Sequence, residues 1–106
     1  MIVKRTQVTA TNAGPGVERR VMASDGSLML VEVSFKKGSV GEVHNHPHEQ
    51  VSYVAKGSIE LQIGEEKQVL KAGDSFYVAP DVPHAVVALE GTVLIDIFSP
   101  QREDFR

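Results

Sequence analysis

Residues 43–50 read Val-His-Asn-His-Pro-His-Glu-Gln, and the run Val51-Ser52-Tyr53-Val54-Ala55 follows at once. A histidine-rich stretch set against a short β-prone run decides the reading of the whole chain. On both sides of it the same texture recurs. Runs rich in Val, Ile, Leu, Phe and Tyr alternate with Gly, Pro and Asp, and almost no segment has helical periodicity. Leu28–Phe35, Val51–Ala55, Ser58–Ile63, Glu66–Leu70, Ser75–Val78, His84–Leu89 and Thr92–Phe98 are predicted strands. Gly64-Glu65 and Glu90-Gly91 read as hairpin tips. Short strands at this spacing indicate an all-β sandwich or barrel.

Outside that region the expectations are coarser. Thr11–Gly16 reads as a loop, Val17–Ala23 as an edge strand and Ser24-Asp25-Gly26 as a turn. Ile2 and Val3 are expected in a short strand, and the polar tail Pro100–Arg106 in a loop. The 106 residues suit one domain over 1–106. Hydrophobic residues make up 42% and charged residues 24% of the chain, the balance of a globular fold and not of a disordered one.

The formal net charge is −3 with no basic cluster, so no nucleic-acid partner and no acidic membrane surface is expected. The chain has no cysteine, which excludes disulfides, thiolate nucleophiles and iron–sulfur clusters and fits the cytoplasm. Its first residues lack the apolar core of a signal peptide, and no run approaches a membrane span.

Three of the four histidines lie in residues 44–48. On an extended strand, positions i and i+2 project to one side, so His44 and His46 can aim two imidazoles at one centre. His48 and Gln50 share that parity, and alternation does not choose between them. Pro47 can swing His48 away. His84, on a separate predicted strand, can reach the pair across a closed barrel. Imidazole is the commonest metal ligand near neutral pH, and such a set suits Ni, Zn, Fe, Mn or Co over Ca or Mg.

These residues resemble a known family. Gly38, His44, His46, Gln50 and Gly57 match in spacing the first motif of the cupins, and Gly73, five residues, Ala79 and then Pro80-Asp81-Val82-Pro83-His84 resemble the second. Gln50 stands where most cupins have glutamate. Ala79 replaces a usual proline, Asp81 a usual glycine, and Ala88 a frequent asparagine. The resemblance implies a double-stranded β-helix, a jelly-roll barrel, with one divalent metal on His44, His46, Gln50 and His84. With a neutral amide in place of the carboxylate, the ion keeps its full charge and acts as a stronger Lewis acid.

A second constellation lies toward the C-terminus. Asp96 interrupts the apolar run Thr92–Phe98, and an unpaired buried charge is costly. Leu94, Asp96 and Phe98 share one face, and Val93, Ile95 and Ile97 the other; either face can be the inner one. Asp96, Phe98 and Arg102 are similar to the C-terminal signature of a cupin subgroup of pectin and alginate breakdown. Those proteins linearise 4,5-unsaturated uronate monosaccharides to 5-keto-4-deoxyuronates, and in that subgroup glutamine is the usual residue at the position of Gln50. The resemblance implies a small sugar-acid substrate, with Asp96 as base or proton shuttle, Arg102 holding the carboxylate in a bidentate fork, and Phe98 shaping the pocket.

The rival readings are a small metal-dependent dioxygenase, another isomerase on the same scaffold, and a non-catalytic sugar-binding cupin. Gly38, Gly57 and Gly73 are expected at turns with positive φ. Phe35, Phe76 and Tyr77 are expected in a core or an interface, and Tyr53, of opposite parity to Gln50, outside the site. Because Val93, Ile95 and Ile97 need a cover if Asp96 faces inward, a homodimer is expected, with Val17–Ala23 available to pair across subunits.

Overall fold

The computed structural model describes residues 1–106. Ten strands follow one another: β1 Thr11–Gly14, β2 Val17–Asp25, β3 Leu28–Phe35, β4 Val40–His44, β5 Glu49–Lys56, β6 Ser58–Ile63, β7 Glu66–Lys71, β8 Ser75–Val78, β9 His84–Ala88 and β10 Thr92–Ser99. Two 3₁₀ turns, Arg5–Gln7 and Glu103–Phe105, flank them. A six-stranded sheet runs β1-β2-β3-β10-β5-β8, and a four-stranded sheet runs β4-β9-β6-β7. All their pairings are antiparallel. The two sheets face each other as a jelly-roll barrel, the architecture the strand pattern indicates. No helix is long and apolar enough to cross a membrane.

Period-two burial sets the inner faces. On β5, Gln50, Ser52 and Val54 are buried while Glu49, Val51 and Tyr53 are exposed. On β10, Leu94, Asp96 and Phe98 turn inward and Ile97 outward, so the polar-bearing face is the inner one. Register then builds layers across the barrel. Val54 pairs with Leu94, Ser52 with Asp96 and Gln50 with Phe98. One end is closed by an apolar plug of Val17, Phe35, Val54, Ile59, Leu61, Val86, Ala88 and Leu94. The polar residues occupy the layers beyond it. Removing a plug side chain, as in Leu94→Ala, costs about 2–5 kcal/mol, because transfer energy is lost and a cavity is left.

Several connections differ from the expectation. Glu90-Gly91 is not a hairpin tip: β9 lies in the small sheet and β10 in the large one. The link crosses between sheets and is pinned by Thr92 Oγ1 donating to Ser58 O and by Ser58 Oγ donating to Glu90. From β3 onward every link except that of β6 to β7 changes sheet, and local turn chemistry does not report this. Gly64-Glu65 does join a true hairpin, β6 to β7.

Thr11–Gly14 is a strand and not a loop, because it pairs with Val17–Arg19. β2 is therefore no edge strand over that half: it lies between β1 and β3. Its far end extends through Asp25, into the expected turn, which falls on Gly26-Ser27 instead. Ile2 and Val3 are outside regular structure. The tail is not a free loop either, since Arg102 is buried and Phe105 packs on Phe98. Gly38, Gly57 and Gly73 have positive φ as expected. At Gly57 a Cβ would collide with Gly91 O and Thr92.

Candidate metal centre

His44, His46 and His84 come together at the polar end of the barrel, with one ligand nitrogen of each within 4.8 Å of the others. Each is delivered differently. His44 ends β4 and sits opposite His84, the first residue of β9. Between Gly41 and His44 the pairing with β9 shifts by one residue, a bulge that re-aims the last turn of β4. The His44 and His84 ring centroids are 4.2 Å apart. His46 lies just past the strand, yet its ring reaches 5.6 Å from His44 and 4.9 Å from His84. The backbone N–H of Asp81 donates to His46 O at 2.7 Å and ties the β8–β9 loop to it. Asp81 has φ 65°, which explains the usual glycine at that position.

Backbone carbonyls select one tautomer for all three rings. Nδ1 of His44 faces Glu42 O at 2.8 Å, Nδ1 of His46 faces His48 O at 2.9 Å, and Nδ1 of His84 faces Val82 O at 3.0 Å. A carbonyl only accepts, so each Nδ1 carries the proton and each Nε2 keeps its lone pair. His84 Nε2 is buried with no hydrogen-bond partner. Burial and the neighbouring His44 and His46 lower the His84 pKa to about 4 against the pull of Val82 O, so its lone pair is free at neutral pH.

Gln50 extends this logic. Its Oε1 lies 3.0 Å from His46 Nε2, two lone pairs facing each other. Its Nε2 donates to Ser52 Oγ at 2.8 Å, and Ser52 Oγ donates to Asp96 Oδ1 at 2.6 Å. The serine has one proton and gives it to the carboxylate, so it can only accept from Gln50. That forces the amide NH₂ toward Ser52 and the carbonyl oxygen toward the histidines. Converging lone pairs, an orphaned buried nitrogen and an oxygen held among them fit a divalent cation, and metal–ligand distances of about 2.1 Å separate adjacent ligands by about 3 Å. His48 is outside the three-histidine cluster; its carbonyl, not its ring, braces His46.

A cavity of about 430 Å³ opens beside the histidines. Asp96, Phe98 and Arg102 all line it, together with His44, Gln50 and His84. Burial raises the Asp96 pKa to about 6, held from going higher by the Ser52 hydroxyl and Arg102. Phe98 stands edge-on to His46 at 5.6 Å. The Arg102 guanidinium lies 5.2 Å from the Phe98 ring centroid and 4.2 Å from that of Phe105. Its Nε and Nη2 donate to Asp104 at 3.0 and 2.7 Å, so one edge of the fork is already occupied. Among the expected aromatics, Phe35 is buried in the plug, Phe76 lines the cavity and Tyr77 is outside, bonded to Glu49.

Two residues at this end, Ser52 and Arg19, went unmarked in the sequence. Ser52 had a signal, a small polar residue at the parity of Gln50 and Val54. Arg19 had one as well, a charge at the parity of Val17 and Val21. Asp104 and Phe105 lie in the stretch Phe98–Phe105 that resembles the subgroup's C-terminal signature, but only the folding back of the tail sets Phe105 in the cavity wall and Asp104 on Arg102.

A jelly-roll barrel with a convergent histidine triad at one end is the arrangement of a cupin, and this chain belongs to the cupin family: the Cupin domain matches residues 31–98. Within that family it is similar to the pectin degradation protein KdgF of Dickeya dadantii, 47% identical over 94 residues covering 87% of this chain and 86% of the relative. Two solved structures superpose with a TM-score of 0.95. One is KdgF from Halomonas sp., 35% identical and covering 100% of this chain and 98% of that one. The other is an RmlC-like cupin from Shewanella frigidimarina, 42% identical and covering 99% and 95%.

Proposed function

We propose that this chain is a metal-dependent enzyme that opens 4,5-unsaturated uronate monosaccharides to 5-keto-4-deoxyuronates in pectin or alginate breakdown. The observation that carries the proposal is one cavity flanked by a histidine triad, a buried carboxylate and an arginine. The pectin-degradation relatives support the pathway. His44, His46, Gln50 and His84 would hold the ion, a neutral donor set that leaves its charge uncompensated. A bound divalent ion supplies Lewis-acid polarisation of the substrate's ring oxygen and carboxylate.

The rest belongs to side chains. Asp96 accepts the proton of the C1 hydroxyl. The C1 oxygen becomes a carbonyl as the bond from C1 to the ring oxygen breaks, and that oxygen leaves as the enolate on C5. Asp96 returns the proton to C4, so C4 becomes a methylene and C5 a ketone, with no net gain or loss of atoms. A carboxyl near pKa 6 is mostly ionised at neutral pH and still a competent proton carrier. Arg102 binds the sugar carboxylate through the N–H groups that Asp104 does not take, and Phe98 forms the wall against the sugar ring. Cysteine-free composition supports the cytoplasm as the site of action.

The test is turnover of a lyase-derived unsaturated uronate, followed as loss of the conjugated double-bond absorbance. Asp96→Asn should keep fold and metal while turnover falls at least ~100-fold, the low end for a general base. A wild type that leaves the absorbance unchanged would sink the assignment.

A further inference from the structure

The cavity wall carries a second arginine with a free guanidinium. Arg19 lies on the inward side of β2 between Val17 and Val21, where the pattern calls for an apolar residue. Val33 is its partner on β3 and Thr11 its partner on β1. Its guanidinium lies 4.0 Å from the centroid of the Phe105 ring, the ring that Arg102 also contacts. It lines the same cavity as Asp96, His44 and His84.

The two arginines differ in what they already hold. Arg102 is bound in bidentate fashion by Asp104, a pair close to neutral. Arg19 makes no ion pair and no side-chain hydrogen bond within the chain. Burial lowers its pKa; Asp104 opposes that and Arg102 adds to it. A half-buried cation beside another cation is costly unless an anion joins it. Stacking on Phe105 fixes the plane of the guanidinium and leaves its N–H edges open, the arrangement that suits a planar carboxylate.

We infer that Arg19 binds the carboxylate of an anionic sugar in this cavity, its open fork joining the N–H groups that Arg102 keeps free of Asp104. The inference rests on the sugar-acid reading of the site. It makes Arg19 a determinant of acid over neutral sugar, separate from the metal ligands and from Asp96.

The test compares metal-loaded wild type with Arg19→Gln and Arg19→Lys, after thermal melting and metal analysis establish that all three are folded and loaded. With unsaturated uronate, Arg19→Gln should raise KM at least ~10-fold and leave kcat within ~3-fold, the pattern of lost ground-state binding. Arg19→Lys, which keeps charge without the fork, should fall between. An unchanged KM in folded Arg19→Gln overturns the inference and leaves the proposed reaction standing. If the wild type does not turn over the uronate, calorimetry with galacturonate and galactose separates the two ideas. A wild-type preference for the acid that disappears in Arg19→Gln sustains Arg19. The same preference in both, or no binding of the acid by wild type, overturns it.

Discussion

Ser52 and Asp96 face each other across the β5–β10 ladder, and the serine hydroxyl donates to the carboxylate at 2.6 Å while accepting from the Gln50 amide. This buried relay couples the proposed base to a proposed metal ligand. Ser52→Ala removes the hydrogen bond that holds the Asp96 pKa down and the acceptor that orients Gln50. The acid limb of the pH–kcat/KM profile should move to higher pH, and metal affinity should fall on the order of 10-fold, as for other outer-shell partners. Ser52→Thr should restore both. An alanine variant with wild-type profile and affinity would show that the relay is only packing.

Asp96 and His84 shift in opposite directions, which sets opposite pH dependences of stability. Folding raises Asp96 from 3.8 to about 6, so its stabilising contribution is complete below pH 4 and is lost as pH rises to 6. The loss is about 3 kcal/mol at roughly 1.4 kcal/mol per unit. Folding lowers His84 from 6.5 to about 4, so its contribution is present above pH 6.5 and is lost as pH falls toward 4. In metal-free protein the two largely offset each other between pH 4 and 6.5. Asp96→Asn should therefore gain stability relative to wild type as pH rises from 4 to 6. Parallel denaturation curves across that range would contradict it.

One divalent transition metal per chain is expected by elemental analysis of untagged protein. His44→Ala and His84→Ala should each lose most of it. Metal at 100 times its Kd should stabilise wild type by about 2.7 kcal/mol and the alanine variants by far less. Equal metal content in variant and wild type would remove the histidine centre from the account.

A homodimer is expected through the outside of the large sheet. Val51, Tyr53, Tyr77 and Ile97 are all exposed there, and they are neighbours by register: Val51 pairs with both Ile97 and Tyr77. An apolar patch on the sheet surface calls for a cover. Light scattering should give twice the chain mass at micromolar concentration, and Val51→Asp should give monomers with the fold intact. A monomeric wild type would leave the patch unexplained.

The sequence by itself determined the all-β class, eight of the ten strands to within a residue or two, and the family. Those rest on local physics: period-two alternation marks strand faces, and the spacing of His44, His46 and His84 is written in the chain. It also narrowed Asp96, because a lone carboxylate at the parity of Leu94 and Phe98 needs an explanation wherever it points. Only the tertiary structure decided which face of β10 is inner, that β9 and β10 lie in different sheets, and that β1 pairs with β2. It alone set Ser52 between Gln50 and Asp96 and laid the tail over Phe98, with Asp104 occupying one edge of Arg102. The physical reason is range. Alternation and turn chemistry act over a few residues, whereas sheet exchange, hydrogen-bond relays and the docking of a terminus depend on contacts between segments far apart in the chain, which no local pattern encodes.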